Sequence, residues 1–353
     1  MDEENLDIPG GHRLALAQMP MSSLIAETEP DARRVSVVVP VYQGARTLES
    51  LVEEIAPLTS IQHTPHGQPF RVADVIFVND GAIDDSTSVM MKLESRYAFV
   101  TSLWLSRNFG QHPATLAGMA SSTGDWVVTL DEDGQFNPLD IGAMIDLADD
   151  TGAQLVYARP LNPPPHAWWR NLGSLAVKTL GRIVVGNSEI GRFSSFRLIR
   201  GEIARSLAAY CGQGVYLDVA LSWVVGRCAF CPVTLRAELD RRSGYTLRRL
   251  VAHFWRFVLT AGTRPLRISA GLGLLSILVA IGIIIYTIWV KIVHQVPIQG
   301  WTSLITALSF FSGLILFSLA ILAEYLALTL TMAMGKPLYL VVPRPDQPRL
   351  PRP

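Results

Sequence analysis

Five consecutive residues, Asp131-Glu132-Asp133-Gly134-Gln135, put oxygen-bearing side chains at every second position. In an extended chain Asp131, Asp133 and Gln135 face one way, because side chains alternate along a strand. Such a set of carboxylate and amide oxygens suits a hard divalent cation, Mg2+ or Mn2+, held jointly by one or two carboxylates and by phosphate groups. An acidic turn capping a strand edge is the other reading of the same residues. Asp80, within Asn79-Asp80-Gly81, is a second acidic position that directly follows an apolar run. If both runs are strands of one open parallel sheet, the two clusters meet at its carboxyl edge, where such sheets bind ligands. No G-x-G-x-x-G follows the first strand and no G-x-x-x-x-G-K-[ST] occurs, so neither a dinucleotide cofactor nor a P-loop is indicated. Cys228-Ala-Phe-Cys231 has C-x-x-C spacing but no second pair, which favours two buried small residues over a metal or redox site.

The elements that must position these residues follow from the hydrophobic pattern. Short apolar runs at Val35–Val41, Val75–Val78, Ser102–Leu105, Trp126–Leu130 and Leu155–Tyr157 alternate with amphipathic or polar stretches. Near-continuous Val/Ile/Leu runs predict strands buried on both faces, hence an α/β fold with a mainly parallel sheet flanked by helices. Helices are predicted over Thr47–Leu58, Asp84–Tyr97, His112–Ser121 and Pro138–Asp149, with Pro113 and Pro138 near helix starts, where a missing N–H costs least. After Tyr157 the pattern is irregular: Pro163-Pro164-Pro165 marks a loop and Trp168–Val185 reads as helical.

The 353-residue chain carries 30 basic and 30 acidic residues, but the balance hides segregation. No acid occurs between Asp240 and Glu324, and Arg241–Arg267 holds seven arginines. Two apolar runs, residues 268–290 inside that window and 304–328 extending past its end, are long enough to cross a hydrocarbon core of about 30 Å as helices. The basic belt before the first run belongs on the cytoplasmic side and attracts anionic headgroups, leaving Lys291–Trp301 outside and the tail after Gly335 inside. Tyr245–Gly262 interleaves aliphatic and aromatic residues with Arg248, Arg249 and Arg256, as in a helix lying at a membrane interface. Glu324 is an ionisable group within an apolar span, which calls for a partner such as Arg264 or Arg267. The expected divisions are a polar extension (1–34) without a secretory signal, a catalytic domain (35–240), a basic interfacial segment (241–267), a two-helix transmembrane hairpin (268–334) and a cytoplasmic tail (335–353). Three cysteines are too few for a disulfide scaffold and fit a reducing compartment.

Val39-Pro40-Val41-Tyr42, Asn79-Asp80-Gly81, Ser106-Arg107-Asn108-Phe109-Gly110-Gln111-His112 and Asp131-x-Asp133-x-Gln135-x-x-Pro138 occur in the order seen in family 2 glycosyltransferases of the GT-A fold, which this chain resembles over about Val35–Val341. Arg242-Ser243-Gly244-Tyr245-Thr246, Pro265-Leu266-Arg267, Ala323-Glu324-Tyr325-Leu326 and Lys336-Pro337-Leu338-Tyr339 look like the polyprenyl-phosphate branch. That branch includes dolichol-phosphate mannose synthases, bactoprenol glucosyltransferases and undecaprenyl-phosphate 4-deoxy-4-formamido-arabinose transferase. The resemblance implies that Pro40, Tyr42 and Asp80 contact the nucleoside, joined in the nucleotide-sugar site by Asp131, Glu132 and Asp133. It further implies that Asp131, Asp133 and Gln135 form the metal and diphosphate site, and that Arg159, Arg197, Arg242, Tyr245 and Arg248 receive the acceptor phosphate. Asn79 stands where Asp is usual, Gly134 where an aliphatic residue is common, and Gly244 departs from Ser-Lys-Tyr.

The activity so implied is inverting transfer of a sugar from a nucleotide-sugar, UDP-linked rather than GDP-linked, to undecaprenyl phosphate at the inner (plasma) membrane, feeding a cell-envelope glycan such as lipopolysaccharide. A metal held by Asp131 and Asp133 would stabilise the departing diphosphate. A phosphate monoester is largely dianionic near neutral pH, so it needs Arg242 to hold it more than it needs a general base. The expected partners are donor, polyprenyl phosphate, bilayer and further copies of the chain, with no nucleic acid. Two other readings are a transferase with a hydroxyl acceptor and a non-catalytic membrane scaffold. The first is disfavoured by the lack of Q-x-x-R-W and of additional spans, and the second draws only on Asn79.

Overall fold

The computed structural model describes residues 32–162, 193–212, 216–236, 264–294 and 300–345. Strands β1 (Arg33–Val41), β2 (Gln62–His63), β3 (Pro69–Asn79), β4 (Val100–Leu105), β5 (Trp126–Thr129), β6 (Leu155–Pro160), β7 (Arg197–Arg200), β8 (Cys228–Val233) and β9 (Val341–Val342) form one sheet. Its order is β8-β6-β7-β5-β1-β3-β4-β9, with β2 paired to β3. The pairs β1–β3, β1–β5, β3–β4 and β6–β8 are parallel, as the continuous apolar runs predict. Strand β7 is antiparallel to both neighbours, and β9 closes the far edge antiparallel to β4.

The helices between the strands are α1 (Leu48–Ile55), α2 (Ser86–Arg96), α3 (Gln111–Ser121), α4 (Ile141–Thr151), α5 (Gly201–Tyr210) and α6 (Leu217–Val224). Alternation along β1 separates two cores. Val37 and Val39 pack with Phe77, Val128, Leu48 of α1, Met90 of α2 and Met144 of α4. Val38 packs on the other face with Ile76, Val127, Leu116 of α3, Leu207 of α5 and Leu221 of α6. The predicted helices over Thr47–Leu58 and Pro138–Asp149 each divide into an α-helix and a short 3-10 turn, Ala56–Thr59 and Pro138–Asp140. Cys228 and Cys231 lie three apart on β8, so their side chains leave opposite faces, and Cys228 is exposed rather than buried. That geometry cannot chelate one ion from this pair.

Beyond the sheet, α7 (Arg264–His294) and α8 (Trp301–Ala333) are helices of 31 and 33 residues. At 1.5 Å per residue each is roughly 45–50 Å long, enough to cross a bilayer core with turns to spare. Core helices of a soluble protein would bury their apolar windows, yet only 6% of Ser269–Tyr286 and of Phe310–Ala333 is buried. Both helices are thus long and apolar enough to span a membrane. Helix α8 ends at Ala333, with Gly335 two residues on at φ 63, the left-handed conformation that terminates helices and that only glycine adopts freely. Within the expected tail at 335–353, the described residues supply β9, which pairs with the backbone groups that edge strand β4 would otherwise leave open. Trp168–Val185, the interfacial helix over Tyr245–Gly262 and most of the extension 1–34 lie outside the described residues; Arg33 and Arg34 of that extension begin β1.

Helix α3 lies against β1 and β3 where Gly118 leaves room: a Cβ there would sit 2.3 Å from Val38 Cγ1 and 3.1 Å from Val78 Cγ2. Gly118→Ala is expected to destabilise the protein by about 1–2 kcal/mol, because the overpacking cost exceeds the ~1 kcal/mol of helix propensity gained, and β-branched Val38 cannot rotate away cheaply. Chemical denaturation of the purified protein measures it.

Candidate functional site

The carboxyl ends of β1, β3, β4 and β5 bring four loops to one edge. Asp80 follows β3 and is 3% exposed. Its Oδ1 accepts from the Phe109 N–H at 2.6 Å and its Oδ2 from the Gly110 N–H at 2.8 Å. The carboxylate is enclosed and holds the Ser106–Gly110 loop. Burial pushes its pKa up, against the lowering effect of the two N–H donors and of Arg107. Gly81 lets the loops approach, since a Cβ there would meet the Asn108 N at 2.8 Å and φ is 66. Asn79 has a structural reason to be an amide: its Nδ2 donates to Thr87 Oγ1 at 3.0 Å while its Oδ1 accepts from the Ala82 N–H at 3.0 Å.

Glu132 does for the β1 loop what Asp80 does for the β4 loop. It is 7% exposed, and its carboxylate accepts from the Tyr42 N–H at 2.8 Å and the Gln43 N–H at 2.9 Å. Both of its oxygens face backbone amides of its own fold. Pro40 is buried within β1 opposite Val78, whereas Tyr42, two residues further on, is 37% exposed.

Asp131 lies just past β5. Its Oδ1 accepts from Gln111 Nε2 at the start of α3, and its Oδ2 from the Ser195 hydroxyl that precedes β7. Part of it reaches solvent, yet burial is the main cause that pushes its pKa up to about 6; Asp133 and Glu132 add to the rise, and Ser195 and Arg197 oppose it. Asp133 is partly exposed, and its Oδ1 accepts from the Gln135 N–H at 3.1 Å. The chain turns here, with Gly134 at φ 70, so the extended alignment that would place Gln135 beside the two aspartates is not formed. Gly134, rather than the usual aliphatic residue, is what permits this conformation.

Arg197 is not a phosphate-facing arginine. It is 5% exposed, and its Nε and Nη2 donate to the two oxygens of Asp218 at 2.7 and 2.9 Å, while its Nη1 reaches Ser195 O at 3.1 Å. Tyr157 OH donates to the same Asp218 at 3.0 Å. Burial opposes the Arg197 charge, but the Asp218 carboxylate outweighs it and raises its pKa; burial first, then Asp218, raises that of Tyr157. The pair fixes Ser195, which in turn bonds Asp131. Sequence reading missed Ser195, Gln111 and Asp218; a lone acid in the apolar run of α6, Leu217-Asp218-Val219-Ala220-Leu221, was the available signal for a buried partner. Arg159 is exposed at the end of β6. Arg242, Tyr245 and Arg248 lie outside the described residues. Among the described residues no group of three or more His, Cys, Asp and Glu side chains converges as a metal cage.

Asp218→Ala would leave a buried guanidinium unpaired and is expected to cost about 3–5 kcal/mol, read as a lowered denaturation midpoint. Asp131 gives a pH signature. Its folded pKa near 6 lies above the unfolded value, so its contribution to stability is full below about pH 4 and is lost as pH rises through 6. Asp131→Asn removes the charge, with its Oδ1 still accepting from Gln111 and its Nδ2 donating to the Ser195 hydroxyl oxygen in place of the bond it received, and in chelator-treated protein it should raise stability at pH 7.5 by on the order of 2 kcal/mol and change little at pH 4. Thermal unfolding at the two pH values checks this.

The sequence matches the model of Glycosyl transferase family 2 over residues 36–207, the stretch that runs from β1 into α5 and carries Asp80, Asp131 and Glu132. Among solved structures, the chain is similar to glucosyl-3-phosphoglycerate synthase from Mycobacterium tuberculosis in complex with Mn2+, UDP-glucose and phosphoglyceric acid, at 22% identity, TM-score 0.47, covering 66% of this chain and 79% of that one. It is also similar to S. aureus TarS 1–349 in complex with UDP-GlcNAc, at 14% identity, TM-score 0.44, covering 65% and 66%. By the family match, residues 36–207, whose strand ends gather Asp80, Asp131 and Glu132, form a glycosyl transferase family 2 domain of GT-A fold, and the protein that carries it is a glycosyltransferase.

Proposed function

We propose that the protein moves a sugar from a nucleotide-sugar, UDP-linked rather than GDP-linked, onto a polyprenyl phosphate such as undecaprenyl phosphate at the cytoplasmic face of the inner membrane. The observation that carries this reading is where the apolar hairpin rejoins the domain. Strand β9, a few residues past α8, pairs with Trp104 and Leu105 at the carboxyl end of β4, and Met332 near the end of α8 lies beside Gly212. A bilayer around the hairpin would thus border the edge that holds Asp131 and Asp133, where a lipid-linked phosphate arrives. The Arg241–Arg267 belt favours the cytoplasmic side.

Asp131 and Asp133 fit a Mg2+ or Mn2+ ion shared with the donor diphosphate: two carboxylates plus phosphate oxygens are a usual set for these ions. The raised Asp131 pKa, sustained by burial and by the Asp133 charge, marks a carboxylate pair that a cation relieves. When bound, the ion supplies charge neutralisation for the departing diphosphate. Gln111 and Ser195 keep Asp131 in place, and exposed Tyr42 offers a surface for the nucleoside. On the acceptor side Arg159, Arg242, Tyr245 and Arg248 hold the phosphate, whose dianion attacks the anomeric carbon without a general base. The bond from that carbon to the acceptor oxygen forms as its bond to the nucleoside diphosphate breaks on the opposite face, which inverts the configuration.

Membranes containing the protein, given undecaprenyl phosphate and a panel of nucleotide-sugars, should yield one sugar-phosphate lipid identifiable by mass. Asp133→Ala should lower its formation at least ~100-fold, the scale of losing a main stabiliser of leaving-group charge. Product formation insensitive to chelator and to Asp131 and Asp133 substitutions would overturn the proposal.

A further inference from the structure

We infer that the segment Leu338–Arg344, which follows the membrane hairpin, is a positioning element for the donor side of the site, acting through the Ser106–Gly110 loop. Strand β9 pairs Val342 with Trp104 and Val341 with Leu105, and the Ser106 N–H donates to Leu340 O at 2.9 Å. That last bond fixes the character of the ladder. Opposed residues in an antiparallel pair alternate between hydrogen-bonded and non-hydrogen-bonded, so Ser106/Leu340 and Trp104/Val342 exchange bonds while Leu105/Val341 is the close pair, with Cα atoms about 4.5 Å apart.

Three further contacts hold the segment. Arg344 pairs with Glu94 of α2 at 3.3 Å, and Glu94 also accepts from the Ser102 N–H of β4 at 3.1 Å. Leu338 and Tyr339 pack on the same cluster as Leu105 and Phe109. Phe109 and Gly110 are the residues whose N–H groups bond Asp80. A continuous set of bonds therefore runs from the end of α8 through Leu340 to Ser106, and from the loop that Ser106 begins to Asp80 at the end of β3. Without it, Trp104–Ser106 would be an open sheet edge and the loop would be anchored at its Asp80 end alone. The inference rests on the reading that these edge loops bind the nucleotide-sugar.

The test uses the full chain in detergent and in membranes, against a variant ending at Pro337 and against Val342→Pro, which removes one ladder N–H. Both variants should insert as the parent does, show faster amide exchange at Phe109 and Gly110, and raise KM for the nucleotide-sugar about 10-fold with a smaller change in kcat, the scale expected when a binding loop is displaced. Unchanged exchange and unchanged donor KM in both variants would overturn the inference. Leu105→Cys with Val341→Cys should oxidise to a disulfide within one chain; disulfide-linked dimers would show that a second copy supplies the strand and would equally overturn it. Exchange and cross-linking need no turnover, so they still decide the inference if no sugar-phosphate lipid forms, an outcome that counts only against the proposed function.

Discussion

Loops at the carboxyl edge of a parallel sheet leave backbone N–H groups with no strand to bond, and buried N–H groups without partners are costly. This protein meets that constraint with acidic side chains. Asp80 takes the amides of Phe109 and Gly110, and Glu132 takes those of Tyr42 and Gln43. Each carboxylate comes from one strand end and bonds the loop after another, so β3 is tied to β4 and β5 to β1. The same device adds to the electrostatics: burial raises the pKa of Asp131 to about 6, and the charges of Asp133 and of amide-bound Glu132 add to the rise.

Much of this was legible in the residues and some was not. The runs at β1, β3, β4, β5 and β6 could be read because strands buried on both faces need unbroken apolar residues. Strand β7, Arg197–Arg200, could not: its two end residues are arginines, and what lets Arg197 be buried is Asp218, twenty-one positions away. Strand β9 is two residues long, and its partner β4 is more than two hundred positions earlier. The acids at the edge were visible by position. Their division into loop-holding Asp80 and Glu132 and outward-facing Asp131 and Asp133 depends on which amides come within reach, which spacing does not encode. The alternation expected for Asp131, Asp133 and Gln135 failed because Gly134 admits a turn.

The apolar hairpin and the domain are linked at more than one place along the sequence. Helix α7 starts within the end of the basic belt, and the chain after α8 is built into the sheet rather than trailing from it. The exposed apolar faces of α7 and α8, which include Leu274, Leu278, Ile285, Leu316 and Leu326, would be unfavourable in water but are suited to lipid. Arg344 with Glu94 and Met332 beside Gly212 limit how far the domain can swing about the hairpin.

The last strand also bears on how the chain is made. It is synthesised after both apolar helices, so the sheet that begins at Arg33 stays one strand short until the whole hairpin has been made. Only an even number of crossings returns Val341 and Val342 to the side where β4 is waiting. A chain that crossed a membrane once would strand them beyond the lipid and leave Trp104–Ser106 an open sheet edge. For a hairpin that spans a membrane, completion of the enzyme's sheet would be conditional on correct insertion, and the finished fold would itself record that topology.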